Sequence, residues 1–135
     1  MRSFLVFFFW LPLSLCGQLR LSRVFNSNMV LQRDQPVSVW GKATPGNTVE
    51  VQLGTAISNG LVQPDSTWQV KLKPHKAGLQ PYELIARSGT ETVRIDNLLF
   101  GDIWICIGQS NMEFPMSGEL HYKEELISSN QPGIR

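Results

Sequence analysis

The chain has 135 residues, long enough for one domain and the beginning of a second. With 42% apolar, 17% charged and 10% aromatic residues it is composed like a globular protein, which excludes a disordered tail and a fibrous repeat. Its formal charge of +1 falls to zero without an N-terminal leader, because dropping Arg2 from the 12 basic residues leaves 11 against 11 acidic ones. Neither a nucleic acid nor an anionic membrane is therefore an expected partner.

The first segment, MRSFLVFFFWLPLSLCGQ, has one basic residue at Arg2, an apolar run from Phe4 to Cys16, and then small residues. That is the layout of a secretory signal peptide, expected over residues 1–17 with cleavage near Cys16 to Gln18. The run is too short for a membrane-spanning helix, which needs about 20 residues, so no stable membrane insertion is expected after cleavage. The expected destination is the periplasm or the extracellular space, or the lysosomal lumen in a eukaryote. Of two cysteines only Cys106 survives cleavage, so the chain contains no intramolecular disulfide and must rely on its core.

Residues 18–100 read as short strands separated by turn residues. In PVSVWGKA, Val37, Val39 and Gly41 share one face, while Ser38, Trp40 and Lys42 share the other. TPGN (44–47) has Pro and Gly in positions typical of a turn. TVEVQL alternates, with Val49, Val51 and Leu53 on one side, and TWQVKLKP does the same with Trp68, Val70 and Leu72. MVLQRD before them, and YELIARSG and ETVRIDNLLFG after them, complete the series. Half-buried strands at roughly ten-residue spacing predict an antiparallel β-sandwich.

At Gly101 the pattern changes. DIWICIG is apolar at consecutive positions from Ile103 to Ile107, as in a strand covered on both faces in a parallel sheet. GELHYKEELISSNQPG then predicts a short helix stopped by Asn130, Pro132 and Gly133. Residues 101–135 are thus expected to start an α/β domain that is incomplete here, since one strand cannot form a sheet.

Between that strand and that helix stands Ser110. A serine that attacks acyl groups must be exposed at a fixed position, close to a base and to N–H donors for the oxyanion. A sharp strand-to-helix turn meets the first need and part of the third, and Gly108 lets the backbone bend. The pattern is not the G-x-S-x-G elbow, because Met112 stands where the second Gly belongs. A structural alternative is a capping box, with Ser110 merely capping a turn whose fourth residue is Glu113.

The stretch LLFGDIWICIGQSNMEFPM closely resembles the nucleophile region of the sialate O-acetylesterases, a branch of the SGNH hydrolase superfamily. Gly101-Asp102-Ile103-Trp104 and Gly108-Gln109-Ser110-Asn111-Met112 carry that resemblance. NSNMVLQRDQPVSVWGKATPG is similar to the family's opening, so the likeness extends over residues 24–116. It implies that residues 101–135 begin an SGNH-type α/β hydrolase domain. It implies further that Ser110 is the acyl-enzyme nucleophile, with its own backbone N–H as one oxyanion donor. The remaining oxyanion donors of such enzymes, a Gly and an Asn, and the base, a His in an Asp-x-x-His motif, match nothing up to Arg135. Gln109 and Asn111 flank the serine as candidates for substrate contact or turn support. The implied activity is hydrolysis of O-acetyl esters of sialic acid or related acetylated sugars. It requires no cofactor and no metal.

Other residues are assigned plainer roles. Asp102, eight residues from Ser110, would lie ~26 Å away on an extended strand and serve as its polar start. His121 beside Lys123 and Glu124 is expected to face solvent, as is His75 in a loop. Cys106 is expected to be a small buried hydrophobe. Trp68 is expected in the core, whereas Trp40 is open to a sugar contact. The alternative to an esterase is a non-catalytic β-sandwich module that binds carbohydrate or serves as a scaffold.

Overall fold

A computed structural model of the chain describes residues 17–135, so the expected leader lies outside the described residues except for Gly17. The architecture is mainly β. Eight strands form two sheets: β1 (Arg20–Leu21), β2 (Val30–Gln32), β3 (Val37–Lys42), β4 (Thr48–Leu53), β5 (Ala56–Leu61), β6 (Thr67–Leu72), β7 (Gly78–Ser88) and β8 (Glu91–Gly101). One sheet has the order β1-β3-β6 and the other β2-β8-β7-β4-β5.

The alternating strands bury the faces their patterns predict. Val37, Val39, Val49, Val51, Leu53, Trp68, Val70 and Leu72 are all buried, and residues from both sheets join Leu84, Leu98 and Phe100 in one core cluster. Burial of such side chains contributes on the order of 1.5–3 kcal/mol each, the main stabilising term in a domain without a disulfide. TPGN forms its turn, with Gly46 at φ +81° and the Asn47 N–H donating to the Thr44 carbonyl at 3.2 Å.

Two findings go beyond the sequence pattern. The first is β5, an edge strand whose AISNGL sequence carries turn-prone Ser, Asn and Gly. It follows β4 after a two-residue turn, with Leu53 opposite Ala56 and Gly54 at φ +58°. A Cβ on Gly60 would stand 2.7 Å from the Gln69 carbonyl oxygen, so β5 packs against β6 at a separation only glycine allows. The second concerns strand direction. β2 runs parallel to β8, with Gln32 opposite Gly101, so the expected all-antiparallel arrangement is corrected at this edge. Alternation of residue type reports which face a side chain takes and says nothing about strand direction.

After Gly101 the structure departs from expectation. Residues 102–107 form no strand, and Trp104, Ile105 and Ile107 are 84%, 83% and 85% exposed. Cys106 is exposed as well, not buried. A two-faced strand exists only between neighbouring strands and covering helices, and the described residues supply none on this side of β8. The helix is shorter than expected: α1 spans Tyr122–Ser128 and has no buried residue. The hydroxyls of Ser128 and Ser129 donate to the carbonyls of Glu125 and Leu126, which competes with helix continuation before Asn130 is reached. At the end of the chain Arg135 donates to the Asn97 carbonyl and side chain, and Gly133 sits against Leu79, returning the segment to β7 and β8. No helix among the described residues is long and apolar enough to cross a membrane.

Candidate functional site

The segment that carries Ser110 leaves the sheet at a defined anchor. The Arg33 N–H donates to the Gly101 carbonyl at 3.0 Å, continuing the β2–β8 pairing. The Ile103 N–H donates to Gln32 Oε1 at 3.2 Å, and Arg33 Nε donates to Asp102 Oδ1 at 2.8 Å. Asp34 accepts from Arg33 at 3.3 Å and from Lys76 at 2.9 Å, extending the ionic chain to the β6–β7 loop. The guanidinium hydrogen bond, then desolvation and charge, set Asp102, with the net effect of lowering its pKa below the usual 3.8; the same hydrogen bond raises Arg33. Asp102 is therefore more than a polar strand start, and Gln32 and Arg33 are anchoring neighbours that the sequence pattern did not single out. Their signal was the polar pair that ends the apolar MVL run.

Ser110 opens a single 3₁₀ turn, Ser110–Met112, in which the Met112 N–H donates to Gln109 O at 2.9 Å and the Glu113 N–H to Ser110 O at 3.1 Å. Gln109 occupies the capping position and makes no side-chain cap hydrogen bond, so the capping box on Ser110 is not formed. Ser110 is exposed, and its hydroxyl has no hydrogen-bond partner among the described residues. The first N–H groups of such a turn lack acceptors within it and point outward. Met112 folds back over Gly108, where a Cβ would stand 2.6 Å from Met112 Cγ. This contact keeps the bend before Ser110 tight and explains a glycine at 108.

Gln109 and Asn111 are exposed on either side of the serine. A cleft of about 980 Å³ lies where residues 101–104, Cys106 and residues 133–135 meet β2, β7 and β8; its walls include Val30, Leu79, Phe100, Trp104 and Cys106. Ser110, Gln109 and Asn111 are not among its walls. The structure thus brings Gln109, Ser110 and Asn111 together on one exposed turn but does not enclose them.

Neither histidine engages the serine. His121 precedes α1, with Nδ1 3.6 Å from a Glu124 carboxylate oxygen, and faces solvent as expected. His75 is not a free surface residue. Its ring stacks on Phe100 at 4.5 Å and meets Tyr82 edge-on at 5.3 Å, and Nδ1 lies 3.0 Å from the Lys73 carbonyl oxygen. A loop of Lys, Pro and His gives no sign of an aromatic neighbour distant in sequence.

No family model matches the chain. It is 37% identical over 118 residues to a sialate O-acetylesterase of Mus musculus, covering 79% of this chain and 22% of that protein. The Homo sapiens sialate O-acetylesterase is likewise 37% identical over 121 residues, with 82% and 23% covered. Among solved structures, a carbohydrate acetylesterase from Xanthomonas citri superposes with a TM-score of 0.74 at 29% identity, covering 83% of this chain and 26% of that one. Over about four-fifths of its length this chain is a homologue of the sialate O-acetylesterases, and it spans a little over a fifth of theirs.

Proposed function

We propose that this chain is the N-terminal part of a secreted serine O-acetylesterase of the SGNH type, acting on acetylated sialic acid or a related acetylated sugar. The observation that carries the proposal is the unpartnered Ser110 hydroxyl at the head of an exposed turn, in a chain similar to known acetylesterases. Ser110 Oγ attacks the acetyl carbonyl carbon and gives up its proton to a base. The oxyanion is received by the Ser110 backbone N–H. The bond to the sugar oxygen then breaks, the sugar leaves as the alcohol, and water cleaves the acetyl-enzyme to acetate. Gln109 and Asn111 flank the approach to the carbonyl.

In this proposal the two sheets form a β-sandwich domain over residues 18–100. Residues 101–135 supply the first strand and helix of the α/β domain, and the exposed Ile103–Ile107 run pairs with strands that the remainder of such an enzyme provides. The base is a histidine from that remainder. The chain enters the secretory route through residues 1–17.

One observation favours a second reading, a β module without catalysis of its own: no base touches Ser110 among the described residues. An acetylated chromogenic ester separates the two. The full chain is compared with Ser110→Ala, and each again after extension by the C-terminal remainder of a homologous esterase. Loss of turnover in the extended Ser110→Ala protein is the expected result. Equal turnover by the extended chain and its Ser110→Ala variant overturns the proposal.

A further inference from the structure

A second site lies on the three-stranded sheet, where a groove of about 840 Å³ is walled by residues of β1, β3 and β6 and by the turn after β1. The strand register fixes its floor. Arg20 stands opposite Lys42, and Lys42 opposite Thr67, forming one row across all three strands. In the next outward row Trp40 stands opposite Gln69, and the Ser22 N–H donates to the Trp40 carbonyl at 2.9 Å. Arg23 enters from the turn, and Gln63 lines the far end.

Charge makes this groove unusual. Two cations directly opposite on neighbouring antiparallel strands repel at close range, an arrangement that destabilises a sheet. Here a third cation, Arg23, joins them, and no acidic residue lines the groove. None of the three takes part in an ion pair among the described residues. Asp65 feels the charge of Lys42, but its carboxylate is held by the Thr67 N–H at 3.0 Å and the Thr67 hydroxyl at 2.6 Å. Three cations without a salt bridge among the described residues thus converge on one concavity.

The aromatic residue among them is a shaped one. Trp40 is 42% exposed, and its ring is held edge-on by Phe25 at 4.8 Å and 74°. A fixed indole face beside hydrogen-bonding side chains suits the C–H face of a pyranose, and planar guanidinium forks suit a carboxylate. Trp68 also lines the groove but is only 2% exposed, so one exposed indole does not form the succession of stacking platforms along a basic track that a single-stranded nucleic acid requires.

We propose that this groove binds an acidic sugar: its carboxylate between Arg20, Arg23 and Lys42, its ring against Trp40, and its hydroxyls on Gln63, Thr67 and Gln69. The inference shares with the proposed function the sugar chemistry of the ligand and does not depend on Ser110.

The test is calorimetric titration of the full-length Ser110→Ala chain with the methyl glycoside of N-acetylneuraminic acid and, separately, with its uncharged methyl ester. Using Ser110→Ala removes hydrolysis, so failure here leaves the esterase assay untouched and the reverse holds too. Saturable binding with a dissociation constant of roughly 1 mM is expected for the acid, weaker by about tenfold or more for the ester. Arg20→Gln with Lys42→Gln is expected to weaken binding of the acid by about tenfold or more while leaving the unfolding temperature equal or higher, because the repulsion is gone. Trp40→Ala is expected to weaken acid and ester alike. Equal affinity for acid and ester, binding undiminished in the double variant, or no binding of the acid at about 10 mM overturns the proposal.

Discussion

Arg33 Nε donates to Asp102 Oδ1 at 2.8 Å, joining the end of β2 to the first residue after β8. The stretches around MVLQ and GDIW therefore meet in space although 69 positions separate the two residues in sequence. The Gln32 bond to the Ile103 N–H lies alongside. Together these contacts fix where the Ser110 segment departs from the sheet.

This anchor has a pH dependence whose sign follows from its charges. The Asp102 carboxyl titrates below its usual 3.8 in the folded chain, chiefly through the Arg33 hydrogen bond. Its contribution is thus fully present above about 3.8 and is lost as pH falls through the lowered value. Both partners are solvent-exposed, so the effect is expected to be local and not to shift global unfolding. Hydrogen exchange read by mass spectrometry is expected to show faster exchange at Ile103 and Trp104 in Asp102→Asn than in the parent at pH 6, with the difference shrinking as the pH is taken progressively below 3.8. A difference that stays the same down to the acid limit of the folded chain contradicts the ion pair as the anchor.

Close backbone approach predicts a second effect. A Cβ on Gly41 would stand 2.0 Å from the Arg20 carbonyl oxygen, and one on Gly60 would stand 2.7 Å from that of Gln69. Neither obstacle is a flexible side chain, so a strand has to move. Gly41→Ala and Gly60→Ala are each expected to cost about 1–3 kcal/mol in urea unfolding. Gly46, at φ +81° with open space around it, serves as the comparison: Gly46→Asn is expected to stay within about 1 kcal/mol of the parent.

How much of this was legible beforehand depends on which force shaped each part. Period-two alternation reported the buried faces at Val49–Leu53 and Trp68–Leu72 because a strand has only two faces and one was buried. It missed β5, since Ser58, Asn59 and Gly60 are poor strand formers and are kept extended by pairing with β4. The run from Ile103 to Ile107 has the composition of an interior strand, yet strand structure belongs to the pair of chains and not to the run, and the described residues offer it no neighbour. The Ser110 turn was legible because Gly108 and the polar cluster act locally. The Arg33–Asp102 anchor was not, because a contact across so much sequence leaves no mark in either stretch alone.

Trp68 supplies a third prediction. It is 2% exposed, and its indole Nε1 is buried without a hydrogen-bond partner. Burying an unsatisfied donor costs about 1–3 kcal/mol, while the ring's packing is worth more. Trp68→Phe removes the orphan donor along with part of the ring, so the two effects oppose and a net change within about 1.5 kcal/mol is expected. Trp68→Ala loses the packing with nothing to offset it and is expected to cost about 3–5 kcal/mol. Equal losses for both variants in urea unfolding mean that the indole N–H is satisfied in solution.

Ser110 yields the prediction that divides a catalytic residue from a structural one. Were its side chain a helix cap, Ser110→Ala would cost about 1 kcal/mol, the usual loss for such a cap. In the structure the cap position belongs to Gln109, and the Ser110 hydroxyl is exposed and unpartnered. Ser110→Ala is therefore expected to change unfolding stability by no more than about 0.5 kcal/mol, as for an ordinary surface substitution. If the proposed role holds, the same substitution is expected to abolish turnover in the extended chain. Stability unchanged with turnover lost assigns the hydroxyl to chemistry, because a residue that only shapes the turn cannot lose function without loosening the turn. A stability loss near 1 kcal/mol with turnover retained assigns it to the fold.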